Sequence, residues 1–490
     1  MQQEKKYLSR KFRTIFLIFL SLLGLFLATY KLTESPAVWF DEGVSVQTAM
    51  NLATAKTPGM QVEPGVIINA TRFMTTGFPL IYPLSFSFKF FGVGMLQARI
   101  VMVIFLIGLI LIAYLLVKKM FGFRTAVLSS LLLVSFPVLY GNGKNVLGEV
   151  PGLFFLVLFF FLFYLLEKSQ FKKILYYVLT GLIGGLCVAT KPIFLILLPA
   201  VFISALFFKK IVFDNWPKVL LGCLFFLLPL AIWLIPLVQQ SGGVSEMISF
   251  YGNIQGVSDF SQAITDNLYK FITEASPAYF IILLIVWTVA IIIRIKSKTV
   301  IITEMIAFLF SWLVFFGYLS TAGFYRYFFP ANVIALLFLP VALSVILNYL
   351  NGRWSWVKNY KLPLVIMPMV LLLLIVHFFQ LGFNSWVANY YHSQRTQTLS
   401  SYLKDQDPAD SIFFYNVPEA VVFLPHRNYY QYAALTPVAA IGQEQLIKLT
   451  AGVPDKIMTV GIYLTKKEVD FSHYQIKDEV DRYLILEKVR

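Results

Sequence analysis

Trp39-Phe40-Asp41-Glu42-Gly43 places two adjacent carboxylates about ten residues past the first apolar run. Only 25 of the 490 residues are Asp or Glu. Charged groups beside lipid are costly to hold unless they serve something. The pair therefore points to acid–base or electrostatic chemistry at a membrane–water boundary rather than to anchoring.

Outward from this stretch the chain is mostly membrane. It is 58% hydrophobic and 13% charged, where a soluble domain is about 25% charged. The 48 Phe and 26 Tyr suit a lipid-facing surface with aromatic interfacial belts. Apolar runs of spanning length predict about eleven transmembrane helices, with cores near 14–30, 99–117, 125–140, 150–166, 174–190, 192–208, 219–238, 278–293, 299–318, 328–348 and 362–382. Pro192 divides the long run 174–208, because proline disfavours helix at the residue before it.

The net charge is +15, but the basic residues gather in short turns rather than on one domain, so nucleic acid is not an expected partner. Six basic clusters alternate with the spans. They are Lys5 to Arg13, Lys118 to Arg124, Lys168 to Lys173, Lys209 to Lys218, Arg294 to Lys298 and Arg353 to Lys361. The positive-inside rule assigns all six to the cytoplasm. This expects an integral plasma-membrane protein with its N-terminus inside and its C-terminus outside. The basic, apolar start resembles a signal peptide, but no small-x-small site ends the run, and the alternation works only if the first span stays.

Two domains are expected. Residues 1–382 form the transmembrane catalytic part, with a first outer loop at 31–98. In that loop, Phe78 to Phe91 is too interrupted by Pro79, Pro83 and Lys89 to span, and reads as a helix lying in the interface. Residues 239–277 read as a polar outer loop. Residues 383–490 read as a small extracytoplasmic α/β domain, with strands at 411–416, 456–464 and 483–489 and helices at 391–406 and 443–450.

The candidate residues each have a plainer reading. Asp41 suits the N-cap of a helix over 44–56, and also a positioned general base. Glu149, in Gly148-Glu149-Val150-Pro151, suits the first turn of a helix, or a second carboxylate on the same face. Arg326, in Tyr325-Arg326-Tyr327-Phe328-Phe329-Pro330, stands against the positive-inside trend. It reads as a snorkelling interfacial cation or a bidentate phosphate ligand. Lys144 and Lys191 are isolated cations in brief outer turns. Cys187 and Cys223 lie in apolar runs and make no framework. The four His form no metal motif, and the chain has neither a Walker loop nor a GxSxG elbow.

Taken in order, these features resemble the GT-C glycosyltransferases, in the branch of protein O-mannosyltransferases and aminoarabinose transferases. The resemblance runs over about residues 10–350. It rests on Asp41-Glu42, Pro79 with Tyr82, Arg99, Gly148-Glu149, Thr190-Lys191-Pro192, and Arg326-Tyr327 with Pro330. It implies a GT-C-like fold and a sugar delivered on a polyprenyl phosphate, undecaprenyl or dolichyl. The acceptor hydroxyl, on protein, lipid or glycan, would attack with inversion on the outer face. The same resemblance implies Asp41 as base with Glu42 and Glu149 as supporting catalytic carboxylates. Arg326, Tyr327, Lys191, Lys144 and Arg72 would surround the donor phosphate. Relatives often carry a cation before the stretch that is Gly77-Phe78-Pro79-Leu80-Ile81-Tyr82 here. It is missing, and Arg72 or Lys89 is the candidate replacement. Divalent-metal dependence varies across the superfamily, and no cofactor is assigned. The competing reading is a polytopic transporter or lipid flippase, which predicts repeat symmetry and mid-membrane ionisable groups. A receptor or scaffold acting through the C-terminal domain is a third.

Overall fold

The computed structural model describes residues 10–69, 76–241, 243, 245, 260–353, 363–434, 443–465 and 469–489. Helices dominate the first three quarters. They are α1 (Arg10–Thr29), α2 (Phe40–Ala55), α3 (Phe78–Phe91), α4 (Met95–Phe121), α5 (Phe123–Ser135), α6 (Pro137–Lys144), α7 (Glu149–Lys168), α8 (Ile174–Thr190), α9 (Leu197–Phe207), α10 (Lys209–Asp214), α11 (Trp216–Ser241), α12 (Phe260–Thr273), α13 (Ala275–Lys296), α14 (Ile302–Leu319), α15 (Phe329–Arg353) and α16 (Pro363–Phe383). Each expected apolar core falls on a helix. Among the described residues, seven helices are long and apolar enough to cross a membrane, and up to eight if α5 and α6, bent by 60°, form one span. Three further apolar helices, at 13–29, 174–190 and 192–207, are shorter. The protein is an integral membrane protein of helical build, and the expected eleven exceeds the helices of full spanning length.

Between α2 and α3 a hairpin of β1 (Gly59–Glu63) and β2 (Val66–Asn69) was not expected. The expected polar loop 239–277 contains α12, whose buried Asn267 donates to the carbonyls of Tyr318 at 3.3 Å, Leu319 at 3.1 Å and Thr321 at 2.8 Å. As expected, α3 is a separate helix. It buries Leu80, Ile81, Leu84 and Phe88 and exposes Tyr82, Phe86, Phe90 and Phe91, as suits a helix lying in an interface.

The C-terminal region is a mixed sheet with α17 (Arg395–Lys404) and α18 (Gln443–Thr450). Its strands are β3 (Ile412–Tyr415), β4 (Tyr429–Tyr432), β5 (Lys456–Val460), β6 (Tyr474–Val480) and β7 (Tyr483–Lys488), in the order β4-β3-β5-β7-β6. β3 runs parallel to β4 and β5, while β7 is antiparallel to β5 and β6. Side chains alternate across a strand. Phe414 thus joins Leu399 and Leu403 of α17 on one face, and Phe413 and Tyr415 join Leu449 of α18 on the other. The expected strand 456–464 stops at Val460 and turns into a short helix, Gly461–Leu464.

This sheet is docked on the 31–98 segment. Gln47 donates to Pro418 O at 2.7 Å and to Gln431 Oε1 at 2.9 Å. Gln61 donates to Arg427 O at 2.9 Å and Tyr429 O at 3.2 Å. The Glu34 carboxylate accepts from the amides of Thr396 at 3.1 Å and Gln397 at 3.0 Å. It thereby satisfies the open donors at the start of α17.

Candidate active site

The extended Trp39 leads into α2, and Asp41 and Glu42 occupy its first turn, where the helix dipole favours carboxylates. Asp41 is not the N-cap: Trp39 holds that position and no side chain caps the helix. Successive helical residues point about 100° apart, so the two carboxylates meet different partners.

Glu42 turns inward. Its Oε1 accepts from Arg99 Nε at 2.9 Å and Val146 N at 3.1 Å, and its Oε2 from Arg99 Nη2 at 2.7 Å. The Arg99 guanidinium also donates to Leu32 O at 2.8 Å, Pro36 O at 2.9 Å and Asn145 Oδ1 at 3.0 Å. All five N–H donors of an arginine are thus used, and both side chains have no exposed surface. Glu42, expected beside Asp41 as a catalytic carboxylate, is instead half of a buried clamp joining α2 to α4 and to the turn before α7.

Asp41 turns the other way and pairs with Arg326. Arg326 lies in a 3-10 turn, Tyr325–Tyr327, with its guanidinium 5.5 Å from the Trp39 ring centre and 5.4 Å from those of Phe324 and Tyr327. Such an aromatic cage favours a cation. Burial works against the Arg326 charge, but Asp41, Glu149 and Tyr327 outweigh it and hold the proton more tightly than usual.

Glu149 opens α7 and pairs with Lys191. Lys191 is the extended residue between α8 and the 3-10 turn begun by Pro192, so the Thr190-Lys191-Pro192 break aims it. Gly77 sets its neighbour: Gly77 N donates to Thr190 O at 2.9 Å. A Cβ at residue 77 would lie 1.8 Å from Ala189 O. Arg326 and Asp41 both act on the Lys191 charge, and Glu149 acts on Arg326. The two ion pairs therefore form one cluster of Asp41, Arg326, Glu149 and Lys191.

Three buried polar atoms around this cluster have no hydrogen-bond partner: Glu149 Oε2, Arg326 Nε and Trp39 Nε1. Buried polar groups are nearly always satisfied, and a concentration of exceptions at one place suits a ligand site. A cavity of about 400 Å³, lined in part by Trp39 and Arg326, adjoins it.

Other expected ligands lie elsewhere. Lys144 donates to Tyr30 O at 2.7 Å and sits 5.8 Å from the Tyr391 ring centre. It ties α6 to the end of α1 rather than reaching the cluster. Lys89 is exposed in the last turn of α3, and Arg72 falls outside the described residues. Among the described residues, no group of three or more His, Cys, Asp or Glu is placed to hold a metal ion. The sequence reading passed over Trp39 and Phe324, whose only signal was an aromatic beside each charged motif.

Residues 79–233 match the family model described as dolichyl-phosphate-mannose-protein mannosyltransferase. No curated protein is a sequence match to the chain. ArnT from Cupriavidus metallidurans in the apo state shares the fold at a TM-score of 0.63 and 12% identity, over 97% of this chain and 98% of that one. The same protein bound to undecaprenyl phosphate gives 0.64 and 13%, over 98% and 99%. The archaeal oligosaccharyltransferase AglB from Archaeoglobus fulgidus, in complex with an inhibitory peptide and a dolichol-phosphate, gives 0.54 and 13%, over 91% of this chain and 69% of that one.

Proposed function

We propose that this membrane glycosyltransferase of GT-C fold moves a sugar from a polyprenyl phosphate to an acceptor hydroxyl, with inversion, on the extracytoplasmic face. The observation that carries the reading is the caged Asp41–Arg326 pair beside Glu149–Lys191. Two cations with two carboxylates suit a reaction that needs a base for a hydroxyl and a counter-charge for a departing phosphate. ArnT and AglB, which share the fold, were seen with undecaprenyl phosphate and dolichol-phosphate.

The pairing also supplies an order of events. A donor phosphate reaching Arg326 competes with Asp41 for the guanidinium, so donor binding frees the carboxylate. Asp41 then takes the proton of the acceptor hydroxyl. The hydroxyl oxygen attacks the anomeric carbon, the carbon–oxygen bond to phosphate breaks, and the phosphate leaves with the bonding pair. Arg326 and Lys191 neutralise it. Tyr327 keeps the guanidinium plane in place, and Glu149 holds Lys191. Glu42 and Lys144 act through position only.

Asp41→Asn tests this reading with two separable readouts. Transfer should fall by roughly 10²–10⁴, while undecaprenyl phosphate should bind at least as tightly, because a competitor for Arg326 is gone. Arg326→Ala should weaken that binding, and Lys should restore it only in part, lacking the planar fork. Near-normal transfer by Asp41→Asn at equal membrane abundance would sink the assignment.

A further inference from the structure

The 60° break between α5 and α6 and the chain following α16 enclose the cavity of about 400 Å³ beside Arg326. Its polar and aromatic lining includes Trp39, Trp386, Asn142, Gln380 and Asn384. We propose that this cavity holds the donor's sugar and takes an uncharged pyranose. The inference rests on the donor reading above and adds to it the class of sugar.

Position comes first. Arg326 belongs both to the ion-pair cluster and to the cavity wall, so a sugar joined to a phosphate on Arg326 has this space next to it. The volume falls within the range of small-molecule sites. The lining chemistry comes second. A pyranose has a C–H-rich apolar face that packs on aromatic rings, with hydroxyls around its rim. Trp39 and Trp386 meet edge to face, 6.0 Å between ring centres. Trp386 lies against the backbone of α6, where a Cβ at Gly141 would be 3.1 Å from it. Asn142, Gln380 and Asn384 carry amides that both donate and accept, as hydroxyls do. Trp39 Nε1 is buried without a partner, a donor still to be satisfied.

Charge comes third. Among the described residues lining the cavity, Arg326 is the sole charged one, with no Asp, Glu, Lys or His. A sugar ammonium would be buried without a counter-ion, and a sugar carboxylate would compete with phosphate for Arg326. Either would carry an unpaired charge out of water.

The test uses the full-length protein in nanodiscs with three lipids: bare undecaprenyl phosphate, the same lipid bearing a neutral hexose, and the same lipid bearing an aminopentose. The hexose lipid should bind about tenfold more tightly than the other two. Trp386→Ala should erase that gain and leave bare-lipid affinity unchanged. Asn384→Asp, at an exposed position that tolerates the change, should shift preference toward the aminopentose lipid. Equal affinity of the hexose and bare lipids, or a wild type that binds the aminopentose lipid as well as the hexose lipid, overturns the subsite and leaves the donor reading standing. Failure of bare undecaprenyl phosphate to bind overturns the donor reading and this inference together.

Discussion

Burial pulls the Lys191 ammonium below the usual lysine range, and the Glu149 carboxylate beside it only partly restores the proton. A base with a lowered pKa becomes neutral earlier as pH rises, beginning below the ordinary value of 10.5. If Lys191 neutralises the donor phosphate, affinity for undecaprenyl phosphate should decline on the alkaline side before a free lysine would titrate. Lys191→Arg should move that decline to higher pH, since a guanidinium stays charged. Superimposable pH profiles of donor affinity for the two proteins would remove Lys191 from the phosphate site. The charged members of the cluster were legible in the sequence because charge is rare in so apolar a chain. Which carboxylate of Asp41-Glu42 faces the site was not. That depends on the rotation of α2 about its axis, which is set by where Arg99 and Arg326 fall in space. Lys144 was misread for the same reason: a cation in a turn does not reveal that Tyr30 O lies 2.7 Å away.

At the scale of elements, α2 is held by the Glu42–Arg99 clamp at its start and by Gln47 and Asn51 along its length. Asn51 donates to Gly59 O at 2.8 Å and so ties the helix to β1. Arg99→Met removes a buried charge from its partner and strands the carbonyls of Leu32 and Pro36. It should cost about 3–5 kcal/mol, read as a lowered thermal midpoint of the purified protein. An unchanged midpoint would mean that the clamp adds nothing to stability. The break at Pro192 and the bounds of α3 could be read locally, because proline and glycine act on their own neighbours. β6 could not. Between buried Tyr474 and Val480 it shows five exposed residues in a row, so it lacks the alternation that marks a half-buried strand. It lies at the edge of the sheet, where charge blunts pairing with other chains. α12 was hidden by the polar residues on its exposed side.

For the molecule as a whole, the basic clusters predict that the ion-pair end and the C-terminal sheet lie outside the cytoplasm. Ile476, 59% exposed on β6, is a clean reporter. In a Cys223→Ser background, Ile476→Cys should react with a membrane-impermeant thiol reagent on intact cells. Reaction only after lysis would invert the orientation and with it the proposed face of catalysis. The sheet's seat on α2 left no trace in the sequence, because a contact between distant residues has no local period. Its tightest point is Gly43, where a Cβ would lie 2.4 Å from the Glu419 backbone. Gly43→Ala should push the sheet off α2, lowering transfer and making the C-terminal region easier to cleave by protease in the folded protein. Wild-type protease resistance in that variant would mean that the interface yields without cost. This seat also has a consequence for biosynthesis. Gln47 and its acceptor Pro418 are 371 residues apart in the chain. At about 5–20 residues per second, the helix bearing Asp41 waits on the order of tens of seconds for the surface that covers it. The nascent chain thus threads all its apolar helices into the bilayer before the lid over its acid pair exists, and a prematurely terminated product would display those carboxylates uncovered.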